Sequence, residues 1–195
     1  HMKDLNAAAL HGGTVRNNTI HSAGSHSINV SAASSNVLIA GNKSFSPTSY
    51  HVNVNGATDV VIRGNSCTAG SLGIAATSGT NTGLIIDSND VKGTSATGIY
   101  TTASDVLIRG NSVRNAGAHA IRVQGAGSRV VGNDVRDTTG SGINLAVAVA
   151  GVSITDNHVV SSSGAAIVGM QPDTVMRRNT GYVTEARGTA TIADA

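Results

Sequence analysis

The chain has 195 residues, of which 39% are hydrophobic and 12% charged, so it holds enough apolar material for one folded domain and too little charge for a disordered polyelectrolyte. A single cysteine excludes an intrachain disulfide framework, and a formal net charge of +2 does not indicate a nucleic-acid partner. No apolar run reaches the roughly 18 residues of a membrane helix, and no motif for a metal or cofactor is present, so neither membrane insertion nor a cofactor is predicted.

One pattern dominates the chain from residue 3 to residue 180. His1 and Met2, which precede it, are interpreted as a cloning remnant, and residues 181–195 are predicted to be a truncated C-terminal exit segment. Within the pattern, residues 59–66 read DVVIRGNS and residues 105–112 read DVLIRGNS. Because the two phrases differ by one conservative change, they indicate an internal repeat.

The repeat is anchored by an asparagine that returns every 22 to 24 residues, at Asn18, Asn42, Asn65, Asn89, Asn111, Asn133, Asn157 and Asn179. An apolar residue stands three positions before each anchor, at Val15, Ile39, Ile62, Ile86, Ile108, Val130, Ile154 and Met176. A second column, mostly apolar or small, lies two positions after the anchors, and a third lies nine or ten positions after them. Three short segments with alternating apolar residues therefore recur in every repeat.

Three short strands per repeat favour an all-β, single-stranded parallel β-helix of about eight coils, each of 22–24 residues. Successive coils would stack about 4.8 Å apart, so the ladder hydrogen bonds join one repeat to the next. A leucine-rich repeat has a similar period but would show leucines at fixed offsets, and leucines are few here. We name the strand before each anchor the first segment, the strand after it the second, and the remaining strand the third.

The anchor asparagines predict a ladder of stacked amides. Asparagine also tolerates left-handed backbone angles, so the anchor itself is expected to make the sharp bend, eased by Gly64, Gly110 and Gly132 just before it. Asp59 and Asp105, six residues before their anchors, are expected to lie in the preceding turn.

The repeats VLIAGN, VVIRGN, LIIDSN, VLIRGN and VSITDN resemble the strand and asparagine turn of the right-handed parallel β-helix, or pectate-lyase-like, superfamily. The tail RNTGYVTEARGTATI, from Arg178 to Ile192, resembles the exit segment of phage and prophage tailspike-type proteins. That resemblance implies a homotrimer on a virion tail or outside the cell that recognises a surface polysaccharide, with depolymerisation left open. The alternative is a purely structural trimeric shaft, or a non-catalytic β-helix module without a glycan.

The outward side chains of the first segment form a stripe of aliphatic residues, at Leu38, Val61, Ile85 and Leu107. An apolar stripe on a soluble rod predicts a face covered by another subunit, although a bent strand with both sides partly buried would also account for it. In the neighbouring outward column Asp87 lies one coil from both Arg63 and Arg109, which predicts a ladder of surface ion pairs.

The outward positions of the third segment are the ones that resemble the superfamily's substrate groove. Candidate glycan-binding residues there are Asn53, Tyr100, Arg122, Asn144 and Gln124. Amides and a guanidinium hydrogen-bond sugar hydroxyls or carboxylates, and Tyr100 offers an apolar face to a pyranose ring. Surfaces rich in Gly, Ser and Asn are equally ordinary for a β-helix exterior.

Catalytic residues are not recognisable in the pattern, and whether the protein is an enzyme stays open. A glycosidase needs two carboxylates flanking one bond, and the third segment carries none. The weak candidates are Asp90, Asp134 and Asp137 as acids and Arg122 as a proton abstractor. Neighbouring cations make solvated charge pairing the more ordinary role for these carboxylates.

Overall fold

The structure is a computed structural model, and it describes residues 5–7, 10–77, 80–146, 149–160 and 162–181. The predicted cloning remnant at 1–2 and all but the first residue of the predicted exit segment at 181–195 lie outside these ranges.

Three parallel sheets run along the molecule, one for each segment of the repeat. The first sheet precedes the anchors and contains β2 (Thr14–Arg16), β5 (Ser35–Ala40), β8 (Thr58–Arg63), β11 (Ile85–Asp87), β14 (Leu107–Arg109), β17 (Arg129–Val131), β20 (Ser153–Thr155) and β23 (Val175–Arg177). The second follows them and contains β3 (Thr19–His21), β6 (Lys43–Phe45), β9 (Ser66–Thr68), β12 (Asp90–Lys92), β15 (Ser112–Arg114), β18 (Asp134–Arg136) and β21 (His158–Val160). The third contains β1 (Leu5–Ala7), β4 (Ile28–Val30), β7 (Tyr50–Val54), β10 (Leu72–Ala76), β13 (Ile99–Thr101), β16 (Ile121–Val123), β19 (Ile143–Leu145) and β22 (Ile167–Val168).

Each strand of the described chain pairs in parallel with the same strand of the neighbouring coils, on one side only for the strands that end each sheet, which confirms the predicted parallel β-helix. In the described chain two sheets have eight strands and one has seven, so the backbone makes about seven turns. The register is the predicted one: Ile62 pairs with Ile86, and Ile86 with Ile108. Because strand residues alternate in direction, each such column points inward, and these three isoleucines are fully buried.

A residue with left-handed backbone angles occupies each corner of the coil. At the corner before the anchor these residues are Asn17, Gly41, Gly64, Ser88, Gly110, Gly132, Asp156 and Arg178, with φ between 50° and 63°. The prediction that the anchor asparagine itself takes these angles is therefore wrong by one position. None of the anchors is among the residues with positive φ, and their side chains instead hydrogen-bond to the neighbouring coils.

The other two corners have left-handed columns of their own. One consists of Gly12, Asn36, Asp59, Gly83, Asp105, Gly127 and Gly151, and the other of Ser22, Ser46, Ala69, Gly93, Asn115 and Asp137. Gly, Asn and Asp make up all of the first column and half of the second, because these residues adopt positive φ at the least cost. The positive φ at these corners is enough to explain why aspartates occur at Asp59, Asp105 and Asp137.

The asparagine ladder is continuous from Asn18 to Asn179. At its centre, Asn111 Oδ1 accepts hydrogen bonds from the Asn89 backbone N–H and side-chain amide, both at 2.9 Å. Asn111 Nδ2 donates to Asn133 Oδ1 and to the Ile86 carbonyl, both also at 2.9 Å. Each amide thus joins three coils, and its buried donors and acceptors are satisfied.

Replacing Asn111 with alanine is expected to lower the free energy of unfolding by about 3 kcal/mol, because several buried partners lose hydrogen bonds at a cost of roughly 1–3 kcal/mol each. Urea unfolding followed by circular dichroism measures the change.

The control is Asn55→Ala, since Asn55 is exposed beside a strand of the third sheet. Its effect is expected to stay within about 0.5 kcal/mol. Equal small effects of the two substitutions would contradict a stabilising role for the ladder.

Candidate functional site

The outward face of the third sheet presents one side chain from each coil in a straight column. The pairing brings Asn29, Asn53, Ala75, Tyr100, Arg122, Asn144 and Val168 into register. All five residues predicted to bind glycan lie on this face, because Gln124 follows Arg122 by two positions. We call it the third-sheet face.

Three of those residues form a contact cluster in two adjacent coils. The Arg122 guanidinium carbon lies 5.6 Å from the centre of the Tyr100 ring, a cation–π distance. The Tyr100 hydroxyl donates a hydrogen bond of 2.6 Å to Gln124 Oε1. Arg122 Nε is buried and has no hydrogen-bond partner in the described protein. The cluster therefore holds a fixed aromatic ring beside a guanidinium whose Nε is buried without a protein acceptor.

Asn144 and Asn53 lie on either side of this cluster. Asn144 is the register partner of Arg122 in the next coil and is partly exposed. Asn53 is separated from Tyr100 by Ala75, and its amide donates to Asn29 Oδ1 at 2.8 Å. The structure thus brings four predicted residues together and places Asn53 two coils away in a separate amide pair.

His119 stands beside the cluster, close enough to Arg122 for the two side chains to interact electrostatically. The Ser141 backbone N–H donates to His119 Nδ1 at 3.2 Å, so the proton of the neutral ring is on Nε2. Burial lowers the pKa of His119, and the positive charge of Arg122 lowers it further. Both effects favour the neutral form of the His119 ring.

The family model described as "Right handed beta helix region" matches residues 8–180. The chain belongs to the right-handed β-helix family. Among curated proteins no match was found.

Among solved structures, this β-helix is similar to the catalytic domain of a GH87 alpha-1,3-glucanase variant in complex with tetrasaccharides. The TM-score is 0.52 at 14% sequence identity, and the alignment covers 91% of this chain. It covers 41% of the other chain, so this β-helix spans less than half of that neighbour's length. At such low identity the likeness concerns the fold.

The acidic candidates lie on a different side of the β-helix from Arg122. Asp90 and Asp134 belong to the second sheet, where Ser112 separates them, so their Cα atoms are about 10 Å apart at about 4.8 Å per coil. Arg114 Nη2 lies 2.6 Å from Asp90 Oδ1, and Arg136 Nε lies 2.9 Å from Asp134 Oδ2. Each of these two carboxylates already has a cationic partner, Asp90 in the next coil and Asp134 two residues along its own strand, which fits the charge pairing expected from the sequence.

The predicted interface stripe is contiguous on the first sheet. Leu38 pairs with Val61, Val61 with Ile85, and Ile85 with Leu107. All four side chains are partly buried within the single chain. Beside them, the Arg109 Nη2 to Asp87 Oδ2 distance of 3.0 Å supplies one step of the predicted ion-pair ladder. The role of the stripe as an interface stays a prediction.

Two kinds of site are absent from the described ranges. No group of three or more His, Cys, Asp or Glu side chains there converges to hold a metal ion. Nor does the described part of the chain contain an α-helix long and apolar enough to cross a membrane.

Sequence reasoning missed a buried polar network between the second and third sheets. The Ser44 hydroxyl lies 2.6 Å from His51 Nδ1 and 2.6 Å from Ser27 Oγ. His51 Nε2 donates to the Ala69 carbonyl, which fixes Nε2 as the protonated atom, so Nδ1 accepts from Ser44. All three side chains are buried, and burial lowers the pKa of His51 despite that carbonyl.

A signal for this network was present in the sequence. The residue before each third-sheet core position is otherwise small, at Ser27, Gly73, Gly98, Ala120, Gly142 and Ala166, and His51 is the exception. A Cβ at Gly98 would lie 2.8 Å from the Ala120 carbonyl oxygen, so side chains at these positions meet the next coil. A histidine here therefore requires partners, and Ser44 interrupts the adjacent apolar column.

The lowered pKa of His51 predicts a stability loss in mild acid. The folded-state pKa lies below the unfolded value of about 6.5, so unfolded chains bind the proton first as the pH falls below that value. Urea unfolding should show a lower free energy of unfolding at pH 5 than at pH 7. His51→Gln should flatten this dependence.

Ser44→Ala is the matched control because it breaks the network but keeps the imidazole. It should be less stable at pH 7 and retain a pH dependence. An unchanged pH dependence in His51→Gln would contradict the assignment.

Proposed function

We propose that this β-helix is a polysaccharide-recognition module and that the third-sheet face from Tyr100 to Asn144 holds the glycan. The observation that carries the proposal is the Tyr100–Arg122–Gln124 cluster. It combines a ring held in place by a hydrogen bond with a guanidinium whose Nε has no protein acceptor. Polar groups converging beside an apolar ring are the means by which proteins orient a saccharide.

The accessible part of the face runs from Tyr100 to Asn144. Its column presents one side chain per coil, about 4.8 Å apart, and Asn144 adds an amide donor and acceptor beside the cluster. Towards Asn53 the column is closed to a ligand, because Ala75 and Asn53 are buried. The GH87 neighbour with its bound tetrasaccharides makes an oligosaccharide the first ligand class to test.

Recognition, rather than cleavage, is the activity that the described residues support. The outward positions of the third sheet carry no carboxylate in the described chain, whereas glycoside hydrolysis ordinarily needs two. Depolymerisation of the bound polysaccharide is a finer part of the proposal that follows from the sequence resemblance. It would need acids from outside the described residues or from a neighbouring subunit.

The setting that we propose is a tailspike-like, receptor-binding protein on a virion tail or outside the cell. In the proposed homotrimer, contacts between copies of the chain would cover the stripe of Leu38, Val61, Ile85 and Leu107. The support is the contiguity of these side chains on the first sheet and the sequence resemblance of the tail after Arg178.

A glycan array with bacterial surface polysaccharide fragments and alpha-1,3-glucan oligosaccharides tests recognition. Wild-type protein should bind at least one glycan. Tyr100→Ala and Arg122→Ala should each weaken that binding about tenfold, the effect of losing an interaction worth about 1.4 kcal/mol.

The matched control is Arg129→Ala, which removes an exposed arginine from the first sheet. It should leave binding unchanged. No binding by any properly folded oligomer would reject recognition and favour the structural shaft.

Sedimentation equilibrium tests the homotrimer. Leu107→Asp places a charge in the stripe and should shift a trimer towards monomer, because desolvating an unpaired charge at an interface is costly. Ser153→Asp, two coils further along the same column, should leave the trimer intact. A wild-type monomer at high protein concentration would reject the proposed assembly.

A further inference from the structure

One dipeptide of the chain has the chemistry of a spontaneous modification site. Asn55 is the only asparagine in the sequence that precedes a glycine. Asparagine is one of the chemically labile residues, because the backbone nitrogen of the next residue can attack its side-chain carbonyl. A glycine in that next position leaves the attacking nitrogen unshielded, since glycine has no Cβ.

The fold places Asn55 and Gly56 at an exposed corner of the coil. They follow β7 (Tyr50–Val54) and precede β8 (Thr58–Arg63), where the chain passes from the third sheet to the first. Asn55 is exposed, and Gly56 has a φ of 74°, in the left-handed region that glycine adopts readily. Solvent therefore reaches the side chain that would react.

Neither reacting group is held by other described residues. The Asn55 side-chain amide makes no hydrogen bond to any of them, and neither does the Gly56 N–H. The backbone on either side is fixed, because the Asn55 N–H donates to the Val30 carbonyl at 2.8 Å and the Ala57 N–H donates to Asn81 Oδ1 at 2.9 Å. The corner thus keeps its place in the coil while the amide and the N–H that would react stay available.

We propose that Asn55 deamidates spontaneously in the folded protein. The Gly56 nitrogen, after giving its proton to hydroxide, forms a bond to Asn55 Cγ. The Cγ–Nδ2 bond breaks, and the amide nitrogen leaves as ammonia after taking up a proton from water. Water then opens the succinimide ring at one of its two carbonyl carbons, which gives aspartate or isoaspartate. In isoaspartate the main chain runs through Cγ.

The modification changes the charge of the surface. The product carries a carboxylate where the freshly made chain has a neutral amide, so the formal net charge of +2 falls by one unit. Because the ammonia is lost, the extent of the change records the age of the molecule. This chemistry does not rest on glycan binding, since buried Asn53 and Ala75 separate the corner from Tyr100.

Asn53 is an internal control in the same strand. It is buried, and its amide donates to Asn29 Oδ1 at 2.8 Å. The residue after it is Val54, whose branched side chain shields the backbone nitrogen. Asn53 should therefore stay intact under conditions that modify Asn55.

Gln124 and Gly125 are a second internal control at the corresponding corner. Val54 and Val123, which precede the two corners, lie in one column of the third sheet, three coils apart. The Gln124 side chain is longer by one methylene and accepts a hydrogen bond from the Tyr100 hydroxyl. Its attack would form a larger and slower-closing ring, so Gln124 should also stay intact.

Incubation of the folded protein at mildly alkaline pH, followed by tryptic digestion and tandem mass spectrometry, tests the proposal. Asn53 and Asn55 lie in the same tryptic peptide, residues 44–63. Asn55 should gain the mass difference between a hydroxyl and an amino group, at a rate proportional to the hydroxide concentration. An isoaspartyl methyltransferase should label the aged protein and not the fresh protein.

Two variants support the assignment, and circular dichroism confirms that each is folded. Asn55→Gln keeps an exposed amide beside Gly56 and should abolish the mass gain in this peptide. Asn55→Asp gives the elution position of the aspartyl product on ion exchange, and part of the aged wild-type protein should elute there.

Three outcomes would overturn the proposal. The first is no mass gain at Asn55 in the folded protein, and a gain in the urea-unfolded chain alone would then show that the fold protects the residue. The second is an equal gain at Asn53 or Gln124, which would show that the corner does not select the site. The third is an unchanged mass gain in the peptide from Asn55→Gln.

Discussion

The stack of coils depends on hydrogen bonds that join each repeat to the next, and the asparagine ladder is the buried part of that set. Each ladder amide accepts from the coil before it and donates to the coil after it, so no coil is satisfied alone. The constraint is severe because the amide must point inward at one position in every turn. It accounts for the narrow period of 22 to 24 residues and for the left-handed residue just before each anchor.

Because the inward columns and the corners determine the architecture, the outward positions are free to differ from coil to coil. The second sheet uses them for ion pairs such as Arg114 with Asp90. The third sheet places an aromatic ring beside a guanidinium. The outward side chains that could bind a ligand are therefore those that differ from coil to coil, whereas the side chains that stabilise the fold are those that recur in every coil.

The same division explains what could be predicted from the sequence. Repeat spacing gave the strands, the register and the buried columns, because each is enforced again in every coil. It failed at the bend, where tolerance of positive φ was credited to Asn65 although Gly64 makes the turn. It also missed the bond from Tyr100 to Gln124 and the network around His51, since both depend on side-chain reach between single coils. The glycan-binding role of the third-sheet residues stays a prediction, because it too depends on side chains of single coils and not on the repeat.

We propose that glycan recognition takes place on the third-sheet face, where Tyr100 and Arg122 break the repeat pattern. The decisive experiment is a crystal structure of the protein with the oligosaccharide that binds most tightly on the array. We expect a sugar ring against Tyr100, with a glycan oxygen within hydrogen-bond distance of the Arg122 guanidinium. A glycan bound with the third-sheet face left empty would contradict it.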